Sequence, residues 1–344
     1  MTKQKDAIHD FIISNLEEGS SNITTLTAEK FSISRQAVLK HINKLIKDNT
    51  LLVEGKTRDR KYSFKPIIDL TMEFSLAGLE EDTIWRKNIL PLLNEAPSNI
   101  TRICYYGFTE ILNNAIDHSN GKKVTINVER TLREIQIVVN DDGIGIFNKL
   151  RQELGLTDNL HAILELSKGK LTTDPKRHTG EGIFFSSRIF DAFSISSGKL
   201  YFSHFSKLNS IEGSDWLLED TNDSIQGTVI RMKIRLDSTR TTEAVFNYYS
   251  GNDEFGFTKT HIPVLLAQHG AENLISRSQA KRLLTRFERF KEIILDFKDV
   301  ENIGQAFADE IFRVFKNEHP NINLQPINAN EQITRMIVRV QNVL

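Results

Sequence analysis

Ile8, Phe11, Ile12 and Leu16 recur at offsets of three and four, which predicts a helix over residues 4–16. Thr25 or Thr27 can cap a short second helix ending near Phe31. The turn Ser32-Ile33-Ser34 leads to a third helix, capped by Ser34 and carrying Ala37, Val38, Ile42, Leu45 and Ile46. Strands are expected at Leu51–Glu54, Lys61–Phe64 and 67–75, and a helix over 79–93 that Pro91 bends or ends. Asn99 opens a further helix with the apolar stripe Ile111, Leu112, Ala115 and Ile116. Strands Lys123–Arg130 and 134–140 alternate Val124, Ile126, Val128 and Ile135, Ile137, Val139 with polar residues. A polar stretch over 147–177 holds one short helix at 159–167. A helix through Phe190 and more strands end at Gly227-Thr228-Val229-Ile230-Arg231-Met232. Beyond 255, strands at 262–267, 292–297 and 322–327 alternate with helices at 276–290, 303–315 and 331–340, the pattern of a small α/β layer domain.

A chain of 344 residues is long enough for two or three domains. The pattern divides it into 1–65, 66–240 and 255–344, with the Asp-, Ser- and Thr-rich 237–255 as a linker. At 39% hydrophobic and 26% charged it can bury ordinary cores. The net charge of −1 gives no general affinity for nucleic acid, but residues 1–65 carry 12 Lys and Arg against 8 Asp and Glu. Cys104 is the single cysteine, which excludes an intramolecular disulfide and suits a reducing compartment; beside Ile103 and Tyr105 its expected role is packing. There is no signal-peptide apolar core and no uncharged apolar run of spanning length, so a cytoplasmic protein away from the membrane is expected.

Helix, helix, turn, helix and the basic hairpin 55–60 resemble a winged helix-turn-helix of the bacterial regulator type. The resemblance implies double-stranded DNA as a partner, with Arg35, Gln36, Lys40, His41 and Lys44 toward the major groove and Lys56, Arg58, Arg60 and Lys61 on the backbone. A winged helix used only for protein contacts has the same pattern.

On the helix opened by Asn99, Glu110, Asn113, Asn114 and Asp117 share one face. Glu110 can take a proton from an attacking water or hydroxyl, and the Asn114 side-chain oxygen can hold Mg²⁺. A solvated polar face looks the same, so this helix alone decides nothing. Strand 134–140 runs into Asp141-Asp142-Gly143-Ile144-Gly145, a D-x-G-x-G turn whose glycines admit a flat ligand and whose Asp141 can accept from an exocyclic amine such as adenine's. His178-Thr179-Gly180-Glu181-Gly182 then feeds a helix N-terminus, an anion site.

Each motif is common, but their order is specific. E-x-x-x-N on a helix, D-x-G-x-G after a strand, G-x-G before a helix and a Gly-Thr strand together resemble the GHKL ATPases: gyrase, the heat-shock chaperone of this type, the mismatch-repair ATPase, sensor histidine kinases and anti-sigma-factor kinases. The resemblance covers about 70–236 and implies helices over a mixed sheet, with ATP between the sheet end, the Glu110 helix and a mobile lid. It implies Glu110 as general base and Asn114 as Mg²⁺ ligand, with Asp117 one turn on near the nucleotide. Asp141 would read adenine between Gly143 and Gly145, Gly180 and Gly182 would face phosphate, and Thr228 would share hydrogen bonds with Asp141. Asp142 and Asn113 are expected to be structural.

Glu181 departs from the plain glycine string; Lys176 and Arg177 just before it could offset its charge. No phosphoacceptor-histidine helix precedes the domain, which argues against a sensor histidine kinase. The layout of 67–118 most resembles the compact anti-sigma serine kinases. The strand Ile293–Phe297 leading into a helix resembles the STAS-like fold of anti-anti-sigma factors. Ile303-Gly304-Gln305 has no hydroxyl where those proteins are phosphorylated, so a docking, sensing or dimerisation role is expected of this domain, with a protein or a second copy of the chain as partner. The fold expected is therefore multidomain α+β: winged helix, GHKL-type α/β sandwich and small STAS-like α/β domain. Its expected function is a DNA-binding transcriptional or signalling switch driven by Mg²⁺·ATP and slow hydrolysis. The alternatives are a serine/threonine kinase acting on a separate partner and an ATP-binding scaffold without turnover.

Overall fold

The computed structural model describes residues 2–16, 22–56, 60–171, 180–206, 210–211, 213–219, 224–250, 256–268 and 273–342. Two compact units emerge, Met1–Leu70 with Val128–Ile135, and Thr71–Asn127 with Gln136–Leu344.

The first unit holds α1 (Thr2–Asn15), α2 (Ile23–Phe31), α3 (Arg35–Lys47) and the antiparallel hairpin of β1 (Leu51–Glu54) and β2 (Lys61–Phe64). Ile8, Ile12, Leu16, Ile23, Val38, Ile42, Leu45, Leu51 and Tyr62 form its core. Ser34 Oγ caps α3 by accepting from the Ala37 N–H at 3.2 Å. The expected Thr cap of α2 is not used. α2 starts earlier, at Ile23, and the buried Thr27 hydroxyl donates back to the Ile23 carbonyl at 2.8 Å. Arg133 donates to the carbonyls of Ile13, at 2.8 Å, and Ser14 near the end of α1.

A seven-stranded sheet contains β3 (Ile68–Ser75), β4 (Lys123–Arg130), β5 (Glu134–Asp141), β6 (Ala192–Gly198), β7 (Leu200–Ser206), β8 (Gly213–Glu219) and β9 (Ile225–Arg235). Its strand order is β3-β4-β5-β9-β6-β7-β8, antiparallel across β9-β6-β7-β8. The helix expected over 79–93 is three short pieces: α4 (Glu81–Ile84), a π turn at Trp85–Ile89 and a 3-10 turn at Leu90–Leu93 containing Pro91. Then come α5 (Ser98–His118), α6 (Ile146–Leu154), α7 (Asn159–Lys168) and α8 (Gly182–Ile189). α5 presses close to the sheet at Gly107, where a Cβ would overlap the Phe190 ring and meet Met232 Sδ at 3.0 Å.

Two expectations fail here. The described part of the expected polar stretch, 147–171, is not a polar excursion: α7 is buried from Ala162 through Lys168. Nor is 237–255 simply a linker, because α9 (Thr242–Ser250) buries Val245 and Tyr249, and Tyr249 meets Phe184 edge-on at 5.0 Å. The helix is invisible in the polar residues that precede it; its aromatic side chains give it a reason to fold.

The C-terminal part has a parallel sheet of β10 (Lys259–Pro263), β11 (Glu292–Asp296) and β12 (Asn323–Ile327), in that order. Its helices are α10 (Arg277–Leu284), α11 (Gln305–Asp309), α12 (Lys316–Glu318) and α13 (Glu331–Gln341); a π turn at Glu310–Phe315 joins α11 to α12. Ser276 and Gln279 form a capping box on α10. This part shares one compact unit with most of the large sheet. Multidomain α+β holds, with one large antiparallel sheet and one small parallel one.

Candidate functional site

α5 is long because its stripe never breaks: Ile100, Ile103, Cys104, Gly107, Phe108, Ile111, Leu112 and Ala115 are all buried. Burial pushes the Cys104 thiol up to about 12, as suits a packing residue. Asn99 ties the first turn down by donating to the carbonyls of Ser238 at 2.9 Å and Arg240 at 3.0 Å.

Beside the last two turns of α5 lies a mostly apolar cavity of about 100 Å³. Asn114, Ala115 and His118 form one wall, Val139, Asp141, Thr228 and Ile230 the sheet side, and Gly145, Ile146, Lys149 and Leu150 the far end. Leu166, Leu171, Gly180 and Ile183 close it. Apolar walls with a few converging polar groups suit a flat heteroaromatic ring.

Asp141 is the buried carboxylate of this cavity. Burial raises its pKa, opposed by hydrogen bonds from Gly143, whose N–H lies 2.9 Å from Oδ1, and from Thr228. Thr228 Oγ1 also accepts from the Ile146 N–H at 3.0 Å, joining β9 to the start of α6. Gly145 turns the chain with φ of +84°, and a Cβ there would overlap Ser197 Oγ. Asp142 is structural, as expected: its Oδ1 accepts from the N–H groups of Lys122 at 2.7 Å and Lys123 at 2.9 Å.

Glu110 is half-buried one turn before Asn114, and its carboxylate abuts Gly182 at the first turn of α8. A Cβ on Gly182 would overlap Glu110 Oε2. One turn earlier, burial and then the charges of Glu110 and Glu181 push the Tyr106 hydroxyl well above its usual range. Two carboxylates thus gather near a helix N-terminus, where the dipole favours anions. Lys170 feels the charge of Glu181 attractively, although burial lowers its own pKa. Lys176 and Arg177, expected to offset Glu181, lie outside the described residues.

α8 is anchored from behind. Arg188, fully buried, donates to both oxygens of Asp215 at 2.8 and 3.1 Å, and His204 Nδ1 lies 2.6 Å from the same carboxylate. Burial and then Arg188, whose Nη1 also lies against Nδ1, lower the His204 pKa to about 4, so the ring is neutral at pH 7.

Of the residues singled out in the sequence, Asn114, Asp141, Gly145, Gly180 and Thr228 line the cavity, Gly143 supports Asp141, and Glu110 and Gly182 meet beside it. Asp117 is exposed and outside the lining; His118, the next residue, is inside it. Sequence reading missed His118, Lys149, Leu166, Leu171 and Ile183 as lining residues. The amphipathic run Ile146–Leu154 directly after the glycine turn could have located Lys149. Among the described residues no group of three or more His, Cys, Asp or Glu is placed to hold a metal ion.

In the first unit, Arg35, Gln36, Lys40 and Lys44 are exposed on α3, and Lys56, Arg60 and Lys61 are exposed around the hairpin. His41 is half-buried, its ring edge-on to His9 at 5.1 Å, and so is less available than its neighbours. Arg58 lies outside the described residues. Among the described residues no helix is long and apolar enough to cross a membrane.

Comparison with known families agrees with this layout. Residues 74–200 match the family model of the histidine kinase-like ATPase domain, and residues 279–334 match that of a STAS-like domain of unknown function (DUF4325). No curated protein matches the chain. The middle of the chain is thus a histidine kinase-like, GHKL-type ATPase domain, and the C-terminal part is STAS-like.

Proposed function

We propose that the protein is an ATP-operated regulator. In this reading adenine enters the cavity with its amine on Asp141, the phosphates turn toward the first turn of α8, and Glu110 takes the proton from an attacking water. Asn114 would hold Mg²⁺, which when bound neutralises phosphate charge. The observation that carries the reading is one cavity flanked at one end by Asp141 and Thr228 and bordered by Glu110 against Gly182. Slow hydrolysis then resets the protein in the cytoplasm.

The N-terminal unit, with its exposed Arg35, Gln36, Lys40 and Lys44, is the proposed DNA-reading winged helix. The STAS-like part engages a protein partner or a second copy of the chain.

A second reading has one observation in its favour: a STAS-like domain beside this ATPase domain fits the anti-sigma-factor kinase type. Glu110 would then activate a serine or threonine hydroxyl. Because Ile303-Gly304-Gln305 offers no hydroxyl, the acceptor would sit on a separate protein. Incubation with γ-labelled ATP and Mg²⁺ separates the readings. Free phosphate alone supports the switch, a labelled partner protein supports the kinase, and nucleotide binding without turnover overturns both chemistries in favour of a scaffold.

A further inference from the structure

The wall that closes the cavity is held by the C-terminal part of the chain. Leu166 and Leu171 line the cavity, and the residues between and around them are bonded to the STAS-like segment. Glu165 on α7, fully buried, accepts from Arg286 Nε at 2.6 Å and from Lys168 Nζ. Arg286 also donates to the carbonyls of Glu165 at 2.9 Å and Lys170 at 3.2 Å. In the other direction Lys168, wholly buried, donates to the carbonyls of Thr285 at 3.0 Å and Arg282 at 3.3 Å, at the end of α10. The Thr260 hydroxyl on β10 donates to the Lys168 carbonyl at 2.8 Å. Lys170 Nζ donates to the Arg289 carbonyl at 3.0 Å and lies over the rings of Phe290 and Phe257.

Two of these residues hold unusual backbone conformations. Lys170 has φ of +52° and Arg286 of +64°, a region that side chains other than glycine occupy only when their surroundings insist. The same wall reaches the phosphate turn, because the Leu171 N–H donates to the Gly180 carbonyl at 3.0 Å, two residues before Gly182 and its contact with Glu110.

We infer that the C-terminal STAS-like part controls the ATP site by gripping this wall, so that α7 and residues 168–171 move with α10 and β10 and not as an independent lid. The inference rests on the proposed ATP site and names its regulator. A buried network of this kind has two discrete states, made or broken, and does not stretch gradually. Whatever binds the STAS-like part and shifts α10 therefore changes nucleotide affinity, and nucleotide must act back on α10 to the same degree.

The test uses the full chain, with hydrogen exchange read over 159–171 and 277–290 with and without a non-hydrolysable ATP analogue and Mg²⁺. The expected result is that nucleotide slows exchange in 277–290, a segment outside the cavity lining, as well as in 159–171. In Arg286→Met the analogue still binds, the effect on 277–290 disappears and the analogue dissociates at least tenfold faster. Because Arg286→Met leaves Glu165 with fewer partners and can misfold, Thr260→Val provides a gentler break, with a smaller change in the same direction. Binding by the wild-type protein with unchanged exchange in 277–290 would overturn this inference alone. Equal coupling in folded Arg286→Met or in Thr260→Val would do the same. Absence of analogue uptake by the wild-type protein would overturn the ATP reading, and this inference with it.

Discussion

The carboxylate of Glu110 and the α-carbon of Gly182 are packed so closely that no Cβ fits between them. Gly182→Ala meets the far end of a flexible side chain, so Glu110 gives way while the fold stays. A base displaced by about 1 Å loses about a hundredfold in rate. The expected outcome is single-turnover hydrolysis slowed by roughly that factor, with analogue affinity and melting temperature close to wild type. Wild-type turnover in this variant would show that the contact does not position the base.

Glu110→Ala removes the proposed base. General-base catalysis contributes about 10²–10⁴-fold, and turnover should fall within that range while calorimetry still detects Mg²⁺·ATP binding. Unchanged turnover would remove Glu110 from the chemistry.

Asp141→Asn keeps the size of the side chain but loses the charge that the Gly143 N–H and Thr228 support. A hydrogen bond to a charged acceptor is worth about 1.5–3 kcal/mol, so ATP affinity should drop roughly ten- to a hundredfold, and the preference for ATP over GTP should shrink with it. Competition binding with both nucleotides measures this. Identical selectivity in the variant would put the purine elsewhere.

Motif order on α5, at the end of β5, before α8 and on β9 made the cavity legible, because each motif is set by short-range spacing and glycine geometry. What closes the cavity was not legible. Glu165 and Lys168 fall in the stretch 147–177 that was expected to be polar, yet they neutralise each other in the interior beside Arg286, more than a hundred residues away in sequence. Only the tertiary fold supplies that partner. Asp117 shares a polar face with Asn114 on a helical wheel, but a small rotation decides which residue faces the cavity, and His118 takes that place. Phe184 and Phe185, more than sixty residues before Tyr249 in sequence, pack on its ring together with Phe257, and explain why α9 is a buried helix where a linker was expected.

Acid should weaken the fold behind α8. His204, surrounded by Arg188, Asp215 and more distantly His261, has its pKa lowered from 6.5 to about 4. Between those values the unfolded chain takes up a proton that the folded protein refuses, so stability is complete above pH 6.5 and falls as pH drops toward 4. The loss from this one group is on the order of 3 kcal/mol across the window. Asp215, held below the usual carboxylate range mainly by Arg188 against the cost of burial, extends the loss to lower pH. Chemical denaturation at pH 7, 5.5 and 4.5 should show the decline, with a shallower slope in His204→Asn. A slope equal to wild type in that variant would assign the acid sensitivity to other groups.

DNA binding by the N-terminal unit, if α3 is the reading helix, should weaken steeply with salt, because each phosphate neutralised by a cation releases counterions. Lys40 and Lys44 are both exposed one turn apart on α3, where phosphate or base edges can reach them. Replacing either by Met should lower the log–log salt slope by about 1 for a phosphate contact, with affinity falling uniformly across sequences. Loss of sequence preference with little change in slope would instead place that lysine at a base edge. Fluorescence anisotropy with duplexes of several sequences, from low to physiological salt, distinguishes these outcomes. No measurable binding at low salt would remove DNA from the partners and leave the unit to protein contacts.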